Sequence, residues 1–197
     1  MRTLTPSAQK ICAIAVEQFA ERGYDVASLN DIAAAAGMRK PSLYAHFSSK
    51  EDLFEVAFER AVEAERLYVE DCFAQCSAAL PGARYSHCLG ERYQASAHLR
   101  FLLRMAFFPP AELRPIISAG FEGYLTRLGE VFEQALRGCL PQLSAELHGL
   151  YVDAYLGVID SLSVELIYAG PDAYARRLRA MWRVFGDSLT AAGSGPR

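Results

Sequence analysis

Residues 28–53 read SLNDIAAAAGMRKPSLYAHFSSKEDL, and this stretch decides the fold. Ser28 suits the N-cap of a helix, with Asp31 three residues on as its capping partner. Ala33, Ala34, Ala35 and Ala36 keep a helix face thin, so that a second helix can cross it closely. Gly37 suits the sharp turn that follows, where φ > 0 is usually needed. Pro41 fits the first turn of the next helix, because its missing N–H is one that has no intrahelical partner there. Leu43 and Phe47, four apart, point inward and leave Ser42, Ala45 and His46 outward. Ser49 then caps another helix, with Asp52 at its third position. From Arg39 to Lys50 the segment carries Arg39, Lys40, His46 and Lys50 and no acid. Two short crossed helices with a basic second member have the form of a helix-turn-helix, whose second helix enters the major groove of DNA. The bland alternative, two ordinary short helices in a bundle, gives no reason for caps, turn and charge sign to coincide.

Outward from this segment the chain reads helical throughout. Thr5-Pro6 starts a helix that Gly23 closes, with Ile11, Ala15 and Phe19 on its apolar face and Ile14 beside them. A long helix is expected over residues 50–79, ended by Pro81-Gly82, and another over 83–108, stopped by Pro109-Pro110. A short piece over 111–119, a helix over 121–140 and two long helices over 144–169 and 172–189 complete the pattern. No strand-like alternation persists, so the expected class is all-α. It comprises a three-helix helix-turn-helix head (5–53), a helical body (54–190), to which the family resemblance given below assigns ligand binding and dimerisation, and a disordered tail (191–197).

The chain has 197 residues, 52% of them hydrophobic, and a net charge of −3. That acidic balance conceals a division. Residues 1–50 hold six Lys/Arg against four Asp/Glu, whereas the remainder holds fourteen against nineteen. All three lysines (Lys10, Lys40, Lys50) lie in the basic part. A basic head on an acidic body fits phosphate binding confined to one end. No apolar run is long enough for a membrane span, and the start of the chain lacks a basic-then-apolar signal pattern, so the expected compartment is the cytoplasm. Cys12, Cys72, Cys76, Cys88 and Cys139 form no disulfide framework and no CxxC pair. Buried, reduced thiols are the preferred reading over a metal or redox site at Cys72, Cys76, His87 and Cys88. No nucleophile elbow, phosphate loop or paired His/Glu metal motif is present, so neither an enzyme nor a cofactor is expected.

Residues 5–53 resemble the TetR family of tetracycline-repressor-like bacterial regulators. The resemblance rests on Ile11, Ala15, Phe19, Gly23-Tyr24, Ser28, Ile32-Ala33, Ala36-Gly37, Leu43-Tyr44, Phe47, Lys50 and Leu53. Arg39 and Ala45 depart from the residues common in the family, which bears on the operator sequence and not on the fold. The resemblance implies a double-stranded DNA operator as partner. Ser28, Tyr44, His46 and Lys50 would meet phosphates, and Arg39, Lys40, Pro41, Ser42 and Ala45 would face base edges. Arg or Lys can read guanine, while Ala and Pro can touch a thymine methyl.

The resemblance also implies a small-molecule effector in the body and a homodimer. At helical spacing, Tyr93, Ala97, Phe101 and Arg104 share a face, as do Phe121, Tyr124 and Leu128, and Tyr151 with Tyr155. Any one of these can simply fill the core; as a group they suit an aromatic or acidic ligand. Tyr174, Leu178, Met181 and Phe185 form a stripe with Trp182 alongside, and Gly157 and Ser161 permit close helix approach. These residues suit a four-helix dimer interface, against the rival of a monomer that buries them internally. The function expected is a repressor released from a palindromic operator by its ligand. The alternative is a DNA-bound regulator without small ligand, controlled by cysteine redox or a protein partner.

Overall fold

The computed structural model describes residues 2–75 and 80–193. Nine α-helices and one 3-10 turn occur among them, and no strand. The helices are α1 (Pro6–Val26), α2 (Leu29–Ala35), α3 (Lys40–Tyr44), α4 (Lys50–Ala74), α5 (Ala83–Ala95), α6 (Ala97–Phe107), α7 (Arg114–Cys139), α8 (Ala145–Tyr168) and α9 (Pro171–Gly193). The 3-10 turn, Ala111–Leu113, precedes α7. None of the described helices is long and apolar enough to cross a membrane.

The chain divides into two compact units, each made from two segments. The first holds Met1–Glu65 and Gln94–Gly123; the second holds Arg66–Tyr93 and Tyr124–Arg197. The DNA-binding head predicted for 5–53 is therefore only part of its unit, because α6 and the start of α7 are built into the same core.

Phe101 of α6 occupies the middle of that core with 0% exposure. Its ring centroid lies 5.5 Å from Phe19, 5.4 Å from Phe54 and 5.7 Å from Phe58. The contacts to Phe54 and Phe58 are edge-to-face, which favours aromatic quadrupoles over simple stacking. Arg104, one turn on, donates from Nη1 to the Glu21 carbonyl at 3.4 Å. It lies over Gly23, where φ is +79° and a Cβ would approach the guanidinium to 3.1 Å. Gly23 thus kinks α1 and also makes room for Arg104.

Two expected helices are revised. Residues 83–108 form two helices, because Ser96 leaves helical geometry and caps α6. Its Oγ accepts from Leu99 N at 3.3 Å and donates to the buried Glu65 carboxylate at 2.8 Å. Tyr93 and Ala97 consequently do not share a continuous helix face. Conversely, α7 runs unbroken through residue 120 from Arg114, with Pro115 in its first turn. A Cβ at Gly120 would come within 2.7 Å of the Phe58 ring, so this glycine serves close packing and not a break. The end expected for the fourth helix, at 79, lies outside the described residues; α4 is described to Ala74. α9 extends to Gly193, beyond the boundary expected at 190; residues 194–197 lie outside the described residues.

In the second unit Tyr155 stacks on Phe132, with centroids 4.1 Å apart and planes 8° from parallel. Its hydroxyl and that of Ser86 both donate to the Gly82 carbonyl, at 3.0 Å each. Tyr85 and Tyr124 pair hydroxyl to hydroxyl, and Tyr174 donates to the Ser86 carbonyl. Gly82 has φ +77°, and a Cβ there would overlap the Tyr155 ring at 2.4 Å. Only glycine fits that place on both grounds.

Burial pushes the Tyr174 phenol up to about 12, and raises that of Tyr155 as well. A group whose pKa rises on folding contributes stability below its unfolded value, here 10.0, and loses it as pH climbs through the folded value. The urea midpoint should therefore fall between pH 10 and 12. Tyr174 supplies on the order of 2–3 kcal/mol of that loss. Tyr174→Phe should flatten the decline, followed by denaturation alongside phenolate absorbance. An unchanged decline in that variant would refute the assignment.

Candidate nucleic-acid interface

The surface of the first unit that contains α2 and α3 is built by local bonds. Ser28 Oγ accepts from Asp31 N at 3.1 Å, which fixes the start of α2 and leaves the Ser28 O–H free to donate. α2 ends at Gly37, φ +75°, where Gly37 N donates to the Ala34 carbonyl and Met38 N to the Ala33 carbonyl, each at 3.0 Å. That double closure is a Schellman arrangement. Lys10 Nζ satisfies a further carbonyl at the same end, that of Ala36, at 2.9 Å. Its lysine charge is thus spent on the helix end.

α3 is short, and its orientation is set by two fully buried side chains, Leu43 and Phe47, both 0% exposed. With these inside, Arg39, Lys40, Pro41, Ser42, Tyr44 and Ala45 are all exposed, while Ser28, His46 and Lys50 are half-buried. Neither Arg39 nor Lys40 has an acidic partner among the described residues. Lys40 instead lies 5.9 Å over the Tyr44 ring. Seven of the nine residues predicted for DNA contact thus lie in one run from Arg39 to His46, interrupted only by the buried Leu43.

Lys50, at the start of α4, leans toward the end of α1. Its Nζ lies 4.3 Å over the Tyr24 ring and 3.4 Å from the Asp25 carbonyl. Tyr24 in turn donates to Glu51 at 2.7 Å. This bond holds the Glu51 carboxyl below its ordinary value and, with burial as the larger cause, raises the Tyr24 phenol. The start of α4 is closed by Ser49 Oγ, which accepts from Asp52 N at 3.1 Å, and by Asp52, which accepts from Ser48 N at 2.8 Å.

Sequence reading missed Arg2. Its guanidinium donates to the His46 carbonyl at 2.9 Å and to Asp52 at 3.1 Å, and lies 5.5 Å over the Phe47 ring. An isolated arginine forty-four positions before its partner carries no local signal.

The residues expected to line a ligand site divide between the units. Ala97, Phe101, Arg104 and Phe121 belong to the first; Tyr93, Tyr124, Leu128, Tyr151 and Tyr155 belong to the second. Phe101, Tyr124, Leu128 and Tyr155 are each at most 2% exposed. The Tyr124 and Tyr155 hydroxyls have the internal partners described above, and Tyr151 bonds Ser188 through its carbonyl at 3.1 Å and Oγ at 2.9 Å.

α8 and α9 pack on each other, and Tyr174, Leu178 and Phe185 turn into the second unit's own core at 7–8% exposure. Gly157 is exposed, and Ser161, Met181 and Trp182 are half-buried. On the outer side the two helices form an open apolar groove of about 760 Å3, with Leu150, Ala154 and Val158 on one wall and Ala180, Met181 and Val184 on the other. Val184 is 73% and Leu150 59% exposed. The outward apolar face is thus adjacent to the stripe predicted from periodicity.

A buried Leu43/Phe47 pair behind an exposed basic run, braced by a capped α2, has the form of the helix-turn-helix of DNA-binding proteins. Residues 11–57 match the family described as bacterial regulatory proteins, tetR family. The chain is 47% identical over 49 residues to the HTH-type transcriptional activator FasR of Mycolicibacterium smegmatis, covering 25% of this chain and 22% of that protein. It is 46% identical over 46 residues to IcaR of Staphylococcus aureus, a negative regulator of the biofilm operon icaADBC, covering 23% and 25%. The matched part is thus about a quarter or less of these relatives' length. The fold extends further. A fatty acid degradation regulator, FadR of Bacillus halodurans, superposes with a TM-score of 0.70 at 19% identity, over 93% of this chain and 96% of that one. The chain carries the N-terminal domain of the tetR family of bacterial regulatory proteins at residues 11–57.

Proposed function

We propose that the chain is a repressor that binds a palindromic operator as a dimer and is released by a small molecule. The observation that carries the DNA-binding part is the exposure of Arg39 to Ala45 around the fully buried Leu43. In this reading Ser28, Tyr44, His46 and Lys50 meet phosphates, and Arg39, Lys40, Pro41, Ser42 and Ala45 meet base edges. The outward groove of α8 and α9 supports pairing with a second copy, which sets two heads at a fixed spacing. IcaR, a negative regulator, is a relative that favours the repressor sense, and FasR is a relative described as an activator.

Release by a ligand is supported inside the first unit. Phe101 and Arg104 tie α6 to Phe19, Glu21 and Gly23 of α1, so displacement of α6 is felt behind the DNA-binding face. The effector class proposed is an aromatic or acidic small molecule. It can shift DNA affinity only by its differential binding to two states. Control by thiols has weaker support: burial pushes Cys12 up to about 11 and raises Cys72, so the reactive thiolate is scarce at neutral pH. Cys76 lies outside the described residues.

The test is binding to a duplex enriched by the wild-type chain from a randomised palindrome pool. With His46 and Lys50 of each subunit at phosphates, about four cationic contacts per dimer, affinity should fall about a hundredfold between 50 and 200 mM salt. Lys40→Ala should lose about 1–3 kcal/mol on the enriched duplex and little on a scrambled one. A flat salt response would remove the DNA-binding reading.

A further inference from the structure

We infer that Arg2 is a positioning residue of the DNA-binding face, which locks the carbonyl end of α3 to the first turn of α4. The inference rests on the DNA-binding reading and adds a residue from outside the helix-turn-helix. Three groups that come from successive parts of the corner converge on one guanidinium. Nη2 donates to the His46 carbonyl at 2.9 Å, just past the end of α3. Nη1 donates to the Asp52 carboxylate at 3.1 Å, in the first turn of α4. The plane lies 5.5 Å over the ring of Phe47, the buried anchor between them.

The planar fork of arginine can reach both acceptors at once and still cover an aromatic face, which a lysine ammonium cannot do. α3 is a helix of five residues with no side-chain cap at its start, so it has little rigidity of its own. Leu43 and Phe47 fix its inner side, and Arg2 fixes the turn by which it leaves. Asp52 has a second role in the clamp, because the same carboxylate accepts from Ser48 N at 2.8 Å and Ser48 Oγ at 3.1 Å. Arg2, Ser48 and Asp52 therefore hold the segment 46–49 from both sides. A rigid corner matters for base readout, where the outward side chains of α3 must meet base edges within hydrogen-bond distance. It matters little for loose contact with phosphates.

The experiment compares Arg2→Ala and Arg2→Lys with wild type on the enriched duplex and on a scrambled duplex of equal length. Amide exchange of residues 46–49 is followed in the free protein. Arg2→Ala should bind the enriched duplex about tenfold more weakly and the scrambled duplex as wild type does, with an unchanged salt slope. Arg2→Lys should not restore affinity, and both variants should exchange the Phe47 and Ser48 amides faster. Equal losses on both duplexes with a shallower salt slope would show a plain phosphate contact and overturn the inference. So would wild-type affinity in Arg2→Lys, or unchanged amide exchange. If Arg2→Ala fails to fold, Arg2→Lys, which retains the charge, decides the question on the same readouts. A wild-type chain that enriches no duplex would remove the DNA-binding reading itself, while the exchange measurement would still report whether the clamp exists.

Discussion

Phe101→Ala should remove about 3–5 kcal/mol of stability and take DNA binding with it, although the residue is far from α3 in sequence. The ring is 0% exposed and touches Phe19, Phe54 and Phe58, the residues that hold α1 against the start of α4. Truncation would leave a cavity ringed by aromatic side chains that cannot collapse without tilting those helices. Since domains are typically stable by about 5–15 kcal/mol, such a loss is a large share of the total. Phe101→Leu, which refills most of the volume, should lose considerably less. Urea titration followed by circular dichroism, run beside operator binding, checks both. A Phe101→Ala chain with wild-type midpoint and altered ligand response alone would return this residue to the ligand site suggested by its spacing.

Val184→Glu combined with Leu150→Glu should convert the proposed dimer to folded monomers and weaken binding to a palindrome by a hundredfold or more. Both side chains are more than half exposed in the single subunit, so the substitutions leave its core intact. In a two-fold arrangement each new carboxylate is repeated by its mate and desolvated among apolar groups. Two heads no longer linked must then bind their half-sites independently, which forfeits the effective concentration that linkage supplies. Sedimentation of wild type and variant at micromolar concentration reads the first effect, and duplexes with one or two half-sites read the second. Phe185 is the wrong place for this test. At 7% exposure it belongs to the subunit's own core, and a charge there would unfold the chain.

The helix-turn-helix was legible because its determinants are local. Ser28, Gly37 and Ser49 act within three residues of themselves, and Leu43 and Phe47 are one turn apart. The break between α5 and α6 was not legible, since residues 93–98 carry no breaker and the cap at Ser96 is held by Glu65, thirty-one positions earlier. The same limit applied to α9. Periodicity located an apolar stripe at Tyr174, Leu178 and Phe185, but a stripe facing its own core and one facing another copy have the same period. Only exposure separates them, and it assigns the outward side to Ala180 and Val184. The nine positions expected for DNA contact follow from the local motif. The expected effector residues depended on pairing distant helices, and it is these that divide between the two units.

That the unit containing the helix-turn-helix is closed by residues 94–123 bears on how the protein is made. A nascent chain that has emerged only through residue 65 has α3 but neither Phe101 nor Arg104. The apolar faces of α1 and α4 then wait for some thirty more residues before α6 arrives to cover them. Synthesis at about 5–20 residues per second makes this an interval of seconds, during which Phe19, Phe54 and Phe58 are open to chaperones or to one another. The first unit is thus completed only after α6 has been made, well after the helix-turn-helix segment itself.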